Sequence, residues 1–401
     1  MNSDYDAIVV GARCAGSPTA MLLAQHGYHV LVVDRATFPS DTVSTLVIHA
    51  PGVAALQRWG LLDAVRTTGC PPLERYTFDF GPVVITGTQH PCDGISTAYA
   101  PRRTVLDKIL LDAAAQAGAD VREGFTIEDT LVEDGAVVGI RGHGRDGRPL
   151  TERARVVIGA DGRGSVVARS VGVQRYHQKP VLQLAFYTYW SGLPVDGLVT
   201  IIRGDRALAA IPTNDDLTLV LVGCPHAQVG DFRRDVESSY QAALNRAPEF
   251  ARRVRAATRE ERIIAGGVPN FFRKPFGPGW VLVGDAGYTK DPVTAQGITD
   301  AFCGAEQCVT ALDDVFQGRR SFEEAMGEYQ QRRDLYALPN YELTTQLATL
   351  EPPPPELQQL LGAIQGKQDA MDAFLSVIAG TLSPPAFFDP NNVAKLLGAA
   401  A

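Results

Sequence analysis

Glycines near the N terminus have the spacing of a phosphate-binding turn. The segment DAIVVGARCAG, residues 6–16, reads as a buried strand, a tight turn that carries Gly11 and Gly16, and a helix start. In this pattern the glycines permit the turn and close helix–strand packing, and the helix N-terminus attracts a pyrophosphate. Asp34 ends the following strand, about 20 residues further on, where a carboxylate accepts hydrogen bonds from ribose hydroxyls. The spacing predicts a site for a nucleotide diphosphate.

The middle position of this glycine pattern is Arg13 instead of glycine. A Cβ at this position displaces the diphosphate or changes the turn, and we expect the guanidinium to offset the change by binding the phosphates. The small side chain of Ala15 keeps the turn compact. The candidate cofactor-binding residues at this end of the chain are Gly11, Arg13, Cys14, Ala15, Gly16, Asp34 and Arg35.

A second segment, WVLVGDAGYTKDPVTAQGITDAF at residues 280–302, also reads as strand, loop and helix start. We expect Asp285 to accept from a hydroxyl of a sugar-alcohol chain, and the amides that begin the helix at Gly297 to face a redox ring. A helix N-terminus stabilises the reduced, anionic ring. A cofactor with a diphosphate at one end and a ring at the other uses both segments, which indicates FAD. The candidates here are Gly284, Asp285, Ala295, Gln296, Gly297 and Ile298, with Pro292 as the catalytic candidate at the ring.

The elements around these motifs form the pattern of a nucleotide-binding domain. Residues 7–34 read as a βαβ unit and residues 103–117 as a helix. Residues 120–141 read as a β-meander that turns at Asp134-Gly135. A strand at 155–160 ends in Asp161-Gly162. Several parallel strands followed by polar or glycine-rich turns predict a Rossmann-like sheet.

A different pattern interrupts this domain. Alternating strands at 181–225 indicate an antiparallel sheet, and the chain is helical beyond Gly318, with a proline-rich break before the last short helices. The predicted fold class is α/β: an FAD-binding Rossmann-like domain with an inserted, mostly antiparallel β-sheet substrate domain and a helical C-terminal tail. The predicted boundaries are 1–75 with 101–180 and 268–335 for the FAD-binding domain, 76–100 with 181–267 for the substrate domain, and 336–401 for the C-terminal helical segment.

Taken together, the motifs resemble those of FAD-dependent class A flavoprotein monooxygenases, the aromatic hydroxylases, and their geranylgeranyl-reductase-like relatives. The glycine turn with Asp34, the Asp161-Gly162 pair and the segment from Gly284 to Gly297 occur in family order. The resemblance implies that Arg103, which leads a helix, contacts FAD. It also implies that Asp161 and Gly162 serve both FAD and the co-substrate, NADPH or NADH.

The resemblance further implies a reaction. NAD(P)H and dioxygen would be used to hydroxylate or otherwise oxidise an aromatic or polyketide-like small molecule through a flavin hydroperoxide. The inserted sheet would cover the ring, because planar apolar walls suit aromatic ligands. Alternation along a strand also allows half of its side chains to fill a core instead. The substrate-wall candidates are Phe186, Tyr187, Tyr189 and Trp190.

The chain departs from the family pattern at two places. Gly287 and Tyr288 stand where the family usually has histidine, and residues 38–49 contain no Arg or Lys where many members carry a flavin-gating cation. Ser44, Thr45 and His49 remain as polar candidates in that stretch. All seven histidines lie at or before His226, so the 280–302 segment supplies no imidazole of its own, and no catalytic base is assigned.

The amino-acid composition argues against several classes of protein. A net charge of −8 argues against a general nucleic-acid binder, and no apolar stretch is long enough for a membrane anchor. The N terminus lacks a signal-peptide pattern, and six scattered cysteines without metal-like spacing indicate free thiols and no metal site. We expect a cytoplasmic monomer or homodimer whose partner is a small molecule.

Three other functions remain open. The first is a flavin-dependent reductase of isoprenoid double bonds, and the second is a non-catalytic flavin-binding redox protein. A flavin-dependent halogenase is less well supported, because the chain has no Trp-x-Trp-x-Ile-Pro run. The C-terminal helices are predicted to pack on the main body, with a lid over the substrate entrance or a dimer surface as alternatives.

Overall fold

A computed structural model describes residues 4–398, and it confirms the predicted α/β class. The outermost residues of the predicted terminal segments, 1–3 and 399–401, lie outside the described part. The strands are β1 (Tyr5–Val10), β2 (Val30–Asp34), β3 (Pro72–Leu73), β4 (Tyr76–Asp79), β5 (Val84–Gly87), β6 (Ala98–Tyr99), β7 (Asp120–Glu123), β8 (Thr126–Glu133), β9 (Ala136–His143), β10 (Pro149–Gly159), β11 (Arg175–Lys179), β12 (Gln183–Ser191), β13 (Leu198–Arg203), β14 (Arg206–Pro212), β15 (Leu217–Pro225), β16 (Thr258–Arg259), β17 (Ile264–Gly266), β18 (Asn270–Arg273), β19 (Phe276–Gly277), β20 (Trp280–Leu282) and β21 (Tyr288–Thr289).

The helices cover the faces of the sheets and form the C-terminal part of the chain. They are α1 (Gly16–Gln25), α2 (Ala50–Arg58), α3 (Leu62–Arg66), α4 (Arg103–Gln116), α5 (Val166–Ser170), α6 (Val229–Arg234), α7 (Val236–Leu244), α8 (Pro248–Ala256), α9 (Gly297–Phe316), α10 (Phe322–Leu347), α11 (Pro355–Ile364), α12 (Gln368–Ala379), α13 (Pro384–Phe387) and α14 (Pro390–Leu397).

The first large sheet has the order β19-β20-β10-β1-β2-β7, and its strands run parallel except for the edge strand β19. The central strands β1 and β2 are largely apolar runs, as expected where both faces of a sheet are buried. Helices α1, α4 and α9 cover one face, while α5 and the β8–β9 hairpin cover the other. Asp134 and Gly135 have φ values of 48° and 79° at the predicted hairpin turn.

The second large sheet has the order β16-β12-β15-β14-β13-β4-β5, and β17 pairs with β12. Its pairs are antiparallel except for β13 with β4. Helices α6, α7 and α8 pack on one face. The other face packs against α11, α12 and α13. This sheet is therefore buried on both sides, which sequence alternation alone does not reveal.

The C-terminal helices close over the second sheet. Asp372 Oδ1 on α12 accepts a hydrogen bond from the Thr88 amide at 2.9 Å, and Ser376 Oγ accepts from the His90 amide at 2.8 Å. Among residues 4–398, no helix combines the length and apolarity needed to cross a membrane. The short helices expected after the proline-rich break are confirmed. Gly60 at φ 72° separates α2 from α3.

Candidate active site

Three motif-bearing segments leave the first sheet at the same edge. Val10 at the end of β1 pairs with Gly159 at the end of β10, and Gly159 pairs with Leu282 at the end of β20. Since these strands are parallel, the segments that follow them all emerge at the carboxyl edge of the sheet. Strand β1 continues to β2 on one side and has β10 on the other, so the edge lies at a topological switch point, where α/β sheets bind ligands.

Close backbone approach explains the glycines of the first turn. Gly11 has a φ of 99°, and a Cβ on it would lie 2.6 Å from the carbonyl oxygen of Ala160. A Cβ on Gly16 would overlap the carbonyl oxygen of Gly11. A Cβ on Gly284 would lie 2.8 Å from the Ala15 side chain. The two distant segments recognised in the sequence are therefore in direct contact.

The Arg13 guanidinium donates three hydrogen bonds within the protein. Its Nη1 donates to Asp107 Oδ2 at 2.5 Å and to the Ser40 carbonyl at 3.1 Å, and its Nη2 donates to Ser40 Oγ at 3.0 Å. The guanidinium thus ties the turn to α4 and to the loop after β2, and its contact with the phosphates stays a prediction. A second cation, Arg102, contacts Asp41 in that loop at 3.4 Å. Residues 38–49 contain no Arg or Lys, but Arg13 and Arg102 from other segments contact this stretch.

Asp107 collects several donors beneath the turn. Arg103 donates to Asp107 Oδ1 from Nε at 3.0 Å and from Nη2 at 2.9 Å. Cys14 Sγ lies 3.4 Å from the same oxygen. Asp107 is fully buried and Arg103 nearly so, which makes this an internal ion-pair cluster of Arg13, Arg103 and Asp107. In the structure, Cys14 is a buried donor below the turn.

The carboxylates of Asp34 and Asp161 differ in the hydrogen bonds that they accept. Asp34 accepts from the Ala12 and Ala36 amides at 2.8 Å each, which leaves further lone pairs on both oxygens. The neighbouring Arg35 is exposed. Asp161 Oδ2 accepts from the Val166 amide at 2.6 Å, while its buried Oδ1 has no partner among residues 4–398. Burial raises the pKa of Asp161.

The loop before α9 opens toward the cleft at the sheet edge. Ala295 has a left-handed backbone with φ 53°, which costs a non-glycine residue energy and is frequent at functional sites. Gly297 is exposed and faces open space, and the Asp285 side chain is exposed as well. Gln296 is buried, and its Nε2 donates to the Ile378 carbonyl at 2.8 Å. Ile298 is buried in the core beneath.

A buried ion pair supports this loop from below. Lys290 Nζ lies 2.6 Å from Asp300 Oδ2, and both side chains are less than 10% exposed. Asp300 lies in the first turn of α9, where a negative charge is favourable. The pair joins the segment before Pro292 to the helix after it, so it fixes both ends of the loop.

An imidazole does reach the loop, from upstream in the chain. His49 Nε2 lies 3.0 Å from the Thr294 carbonyl, and Nδ1 lies 2.9 Å from the Tyr76 hydroxyl. Because a carbonyl only accepts, Nε2 carries the proton and Nδ1 accepts from Tyr76. Gln89 Nε2 donates to Tyr76 at 2.9 Å. Burial lowers the pKa of His49 to about 4, so it is neutral at pH 7 and both ring nitrogens are engaged.

A cavity lies between the second sheet and this loop. On the face of the sheet that borders it, the small side chains of Ala185, Ala207 and Ala209 leave space between larger apolar residues. Tyr187 and Tyr189 lie on the same face. Phe186 and Trp190 were predicted as substrate walls, but they point to the opposite face and pack against α6, α7 and α8. The cavity-lining residues include Thr45, His49, Tyr76, Phe78, Gln183, Ala185, Ala207, Ala209, Leu221, Pro292, Val293, Thr294, Ala295 and Ile378.

Comparison with known proteins identifies the family. The family model described as "FAD binding domain" matches residues 4–340. The chain belongs to this FAD-binding family. The digeranylgeranylglycerophospholipid reductase 2 of Methanopyrus kandleri is 30% identical over 317 residues, which cover 75% of each protein. The 3-demethoxyubiquinol 3-hydroxylase of Escherichia coli is 28% identical over 352 residues, covering 82% of this chain and 83% of the hydroxylase.

Solved structures agree on the fold. The flavin-dependent brominase Bmp2 matches with a TM-score of 0.82 and 17% identity, covering 98% of both chains. The resemblance to flavoprotein monooxygenases and geranylgeranyl-reductase-like proteins is confirmed, and this family member is an FAD-dependent oxidoreductase.

The sheet edge fits the cofactor of this FAD-binding family. The turn cannot carry a Cβ at Gly11 or Gly16, Asp161 Oδ1 is an unused buried acceptor, and the start of α9 is open. Motifs led to these residues, but not to the side chains that support them. Asp107, four residues after Arg103, had a detectable helical spacing. The ion pair of Lys290 with Asp300 has no such helical spacing, so the sequence does not reveal it.

Proposed function

We propose that this FAD-dependent enzyme is a monooxygenase that uses NADH or NADPH and dioxygen to oxidise a small aromatic or apolar molecule. The cavity that ends on residues 292–295 carries the proposal. Its walls are mostly apolar with a few convergent polar groups, the usual character of a site for a small organic molecule. A molecule in this cavity contacts the same loop that opens toward the sheet edge.

In this proposal the two segments hold opposite ends of FAD. The glycine turn and the N-terminus of α1 bind the diphosphate, Asp34 binds the ribose, and Asp285 binds a hydroxyl of the linking chain. FAD supplies two-electron redox chemistry when it is bound. The Gly297 amide begins α9, whose positive end favours an anionic ring edge. Pro292 lies in the loop before α9 and borders the cavity.

Two titratable side chains on the cavity side of the molecule are uncharged. Burial raises the pKa of Tyr187 to about 12 and lowers the pKa of His49 to about 4. Both are therefore neutral at pH 7. The Tyr187 oxygen accepts from the Ser44 amide at 3.2 Å, which anchors the loop after β2 to the second sheet. A neutral, enclosed wall keeps water away from the reacting groups.

The test is dioxygen uptake by the FAD-loaded protein with NADH or NADPH and a panel of phenols, anilines and polyketide-like aromatics. We expect at least one compound to accelerate nucleotide oxidation and to acquire an oxygen atom from labelled dioxygen. A yellow protein that bleaches with dithionite, but with neither nucleotide under nitrogen, would contradict the proposal. That result would favour a non-catalytic flavin-binding protein.

Reduction of isoprenoid double bonds is the second candidate. It is favoured by the 30% identity to the M. kandleri reductase, and an apolar cavity also suits an isoprenoid chain. Chemically reduced protein, incubated without oxygen with a geranylgeranyl-bearing glycerophospholipid, separates the two reactions. Saturated product formed without oxygen supports the reductase, whereas product that requires dioxygen supports the monooxygenase.

A further inference from the structure

The cavity contains one amide side chain whose orientation is fixed by its neighbours. Gln183, on β12, borders the cavity and is only 4% exposed. Its Nε2 donates to Asp291 Oδ1 at 2.8 Å. The same Asp291 oxygen accepts from the Val293 amide at 3.0 Å. An oxygen that already serves as an acceptor requires the amide NH₂ of Gln183, so the carbonyl oxygen of Gln183 must point the other way.

Asp291 is itself held in place. Its amide donates to Asn270 Oδ1 at 2.7 Å, and Asn270 Nδ2 donates to the Pro180 carbonyl at 2.8 Å. Asp291 is 1% exposed and directly precedes Pro292. The orientation of Gln183 is therefore set by the segment that leads into the loop beside the cavity.

The free oxygen of Gln183 has room because small residues surround it. Gln183 Oε1 accepts no hydrogen bond from any residue in the described part of the chain, and this oxygen is not fully buried. A Cβ on Gly223 would lie 2.5 Å from this oxygen. Ala185 and Ala207 pair with Gly223 on either side. The sheet thus presents an unused acceptor in an apolar cavity.

We propose that Gln183 Oε1 selects substrates that carry a hydrogen-bond donor on an aromatic ring, a phenol or an aniline, and that Asp291 is the positioning residue for this amide. This inference rests on the proposed function, since it names the substrate class for the same cavity. A site built to hydrogen-bond a substrate hydroxyl discriminates against an analogue without it, because the buried acceptor is then left unpaired.

The test compares two probes of similar shape, 1-naphthol and 1-methoxynaphthalene, binding to the FAD-loaded protein. Binding is followed by the change in flavin absorbance without any nucleotide, so it does not depend on turnover. We expect the wild type to bind 1-naphthol on the order of 10-fold more tightly. In Gln183→Met, which keeps the length but lacks the acceptor, we expect the preference to disappear.

Two variants at Asp291 separate positioning from charge. Asp291→Asn keeps an oxygen for the Gln183 and Val293 donors, so the preference should remain. Asp291→Ala removes that oxygen, and the preference should fall toward unity. Gly223→Ala, whose Cβ displaces Gln183 Oε1, should have the same effect and serves if Gln183→Met fails to retain FAD.

Equal preference in the wild type and in Gln183→Met or Gly223→Ala would overturn the inference, as would a wild type that binds neither probe. Retention of the preference in Asp291→Ala would overturn the positioning role. Failure of the proposed function gives a different pattern, in which the probe preference is intact but no compound stimulates dioxygen uptake.

Discussion

The glycine turn and the cavity are built in different ways. The turn consists of backbone in close approach, and its neighbours are other motif residues at the edge of one sheet, such as Ala160 beside Gly11. The cavity is formed by side chains from strands of the second sheet, from the loop after β2, from residues 292–295 and from α12. Ile378 in this wall lies beyond residues 4–340, the range that matches the family. The glycine turn therefore lies wholly inside the family match, whereas the cavity wall is completed by a residue outside it.

A side chain at Gly16, where the backbone contacts the Gly11 carbonyl, should have the largest effect on FAD binding. Gly16→Val introduces a side chain where even a Cβ overlaps the Gly11 carbonyl, so α1 must move away from β1. We expect purified protein with less than about one-tenth of the wild-type flavin content, because the helix N-terminus no longer faces the diphosphate. The control is Gly327→Ala on α10, where a Cβ meets nothing within 4 Å. Flavin retention in Gly16→Val, measured by absorbance, would contradict the role of this turn.

The ion-pair cluster of Arg13, Arg103 and Asp107 should have the next largest effect. Asp107→Ala leaves two buried or half-buried cations without their carboxylate, which costs about 3–5 kcal/mol in the free energy of unfolding. Asp112→Ala is a matched control on the same helix, since it removes a partially exposed pair with Lys108. Such pairs contribute about 0–1 kcal/mol. Urea unfolding measures both, and equal losses would refute the distinction.

His49 should make the cavity side of the molecule sensitive to acid. Its folded pKa of about 4 lies below an unfolded value of about 6.5, so the unfolded state binds more protons between these limits. Stability then falls as the pH decreases from about 6.5 to 4, by roughly 2–3 kcal/mol. His49→Gln, which removes the buried imidazole, should flatten this part of the profile. Parallel profiles for wild type and His49→Gln would contradict the buried-imidazole account.

The sequence predicted the sheet edge well because each motif there is local. A strand, a glycine and a helix start lie within a few residues, so the contacts of Gly11 with Ala160 follow from strand order. The cavity depends on residues far apart in the chain, such as His49 with Thr294 and Gln183 with Asp291. The alternation of side chains along β12 predicts two faces for this strand. Because helices cover both faces, the sequence could not show that Phe186 lies on the face away from the cavity.

In the proposed function, a substrate in the cavity contacts the flavin at residues 292–295. The flavin spectrum during ligand binding is the direct test of this contact. Ala209 borders the cavity on the sheet side, and Ala209→Phe fills space whose lining includes no residue of the glycine turn. We predict that an aromatic ligand found in the dioxygen-uptake screen perturbs the flavin absorbance of the wild type. Ala209→Phe should keep its FAD and lose both the perturbation and the turnover. An unchanged perturbation in Ala209→Phe would show that the substrate meets the flavin elsewhere.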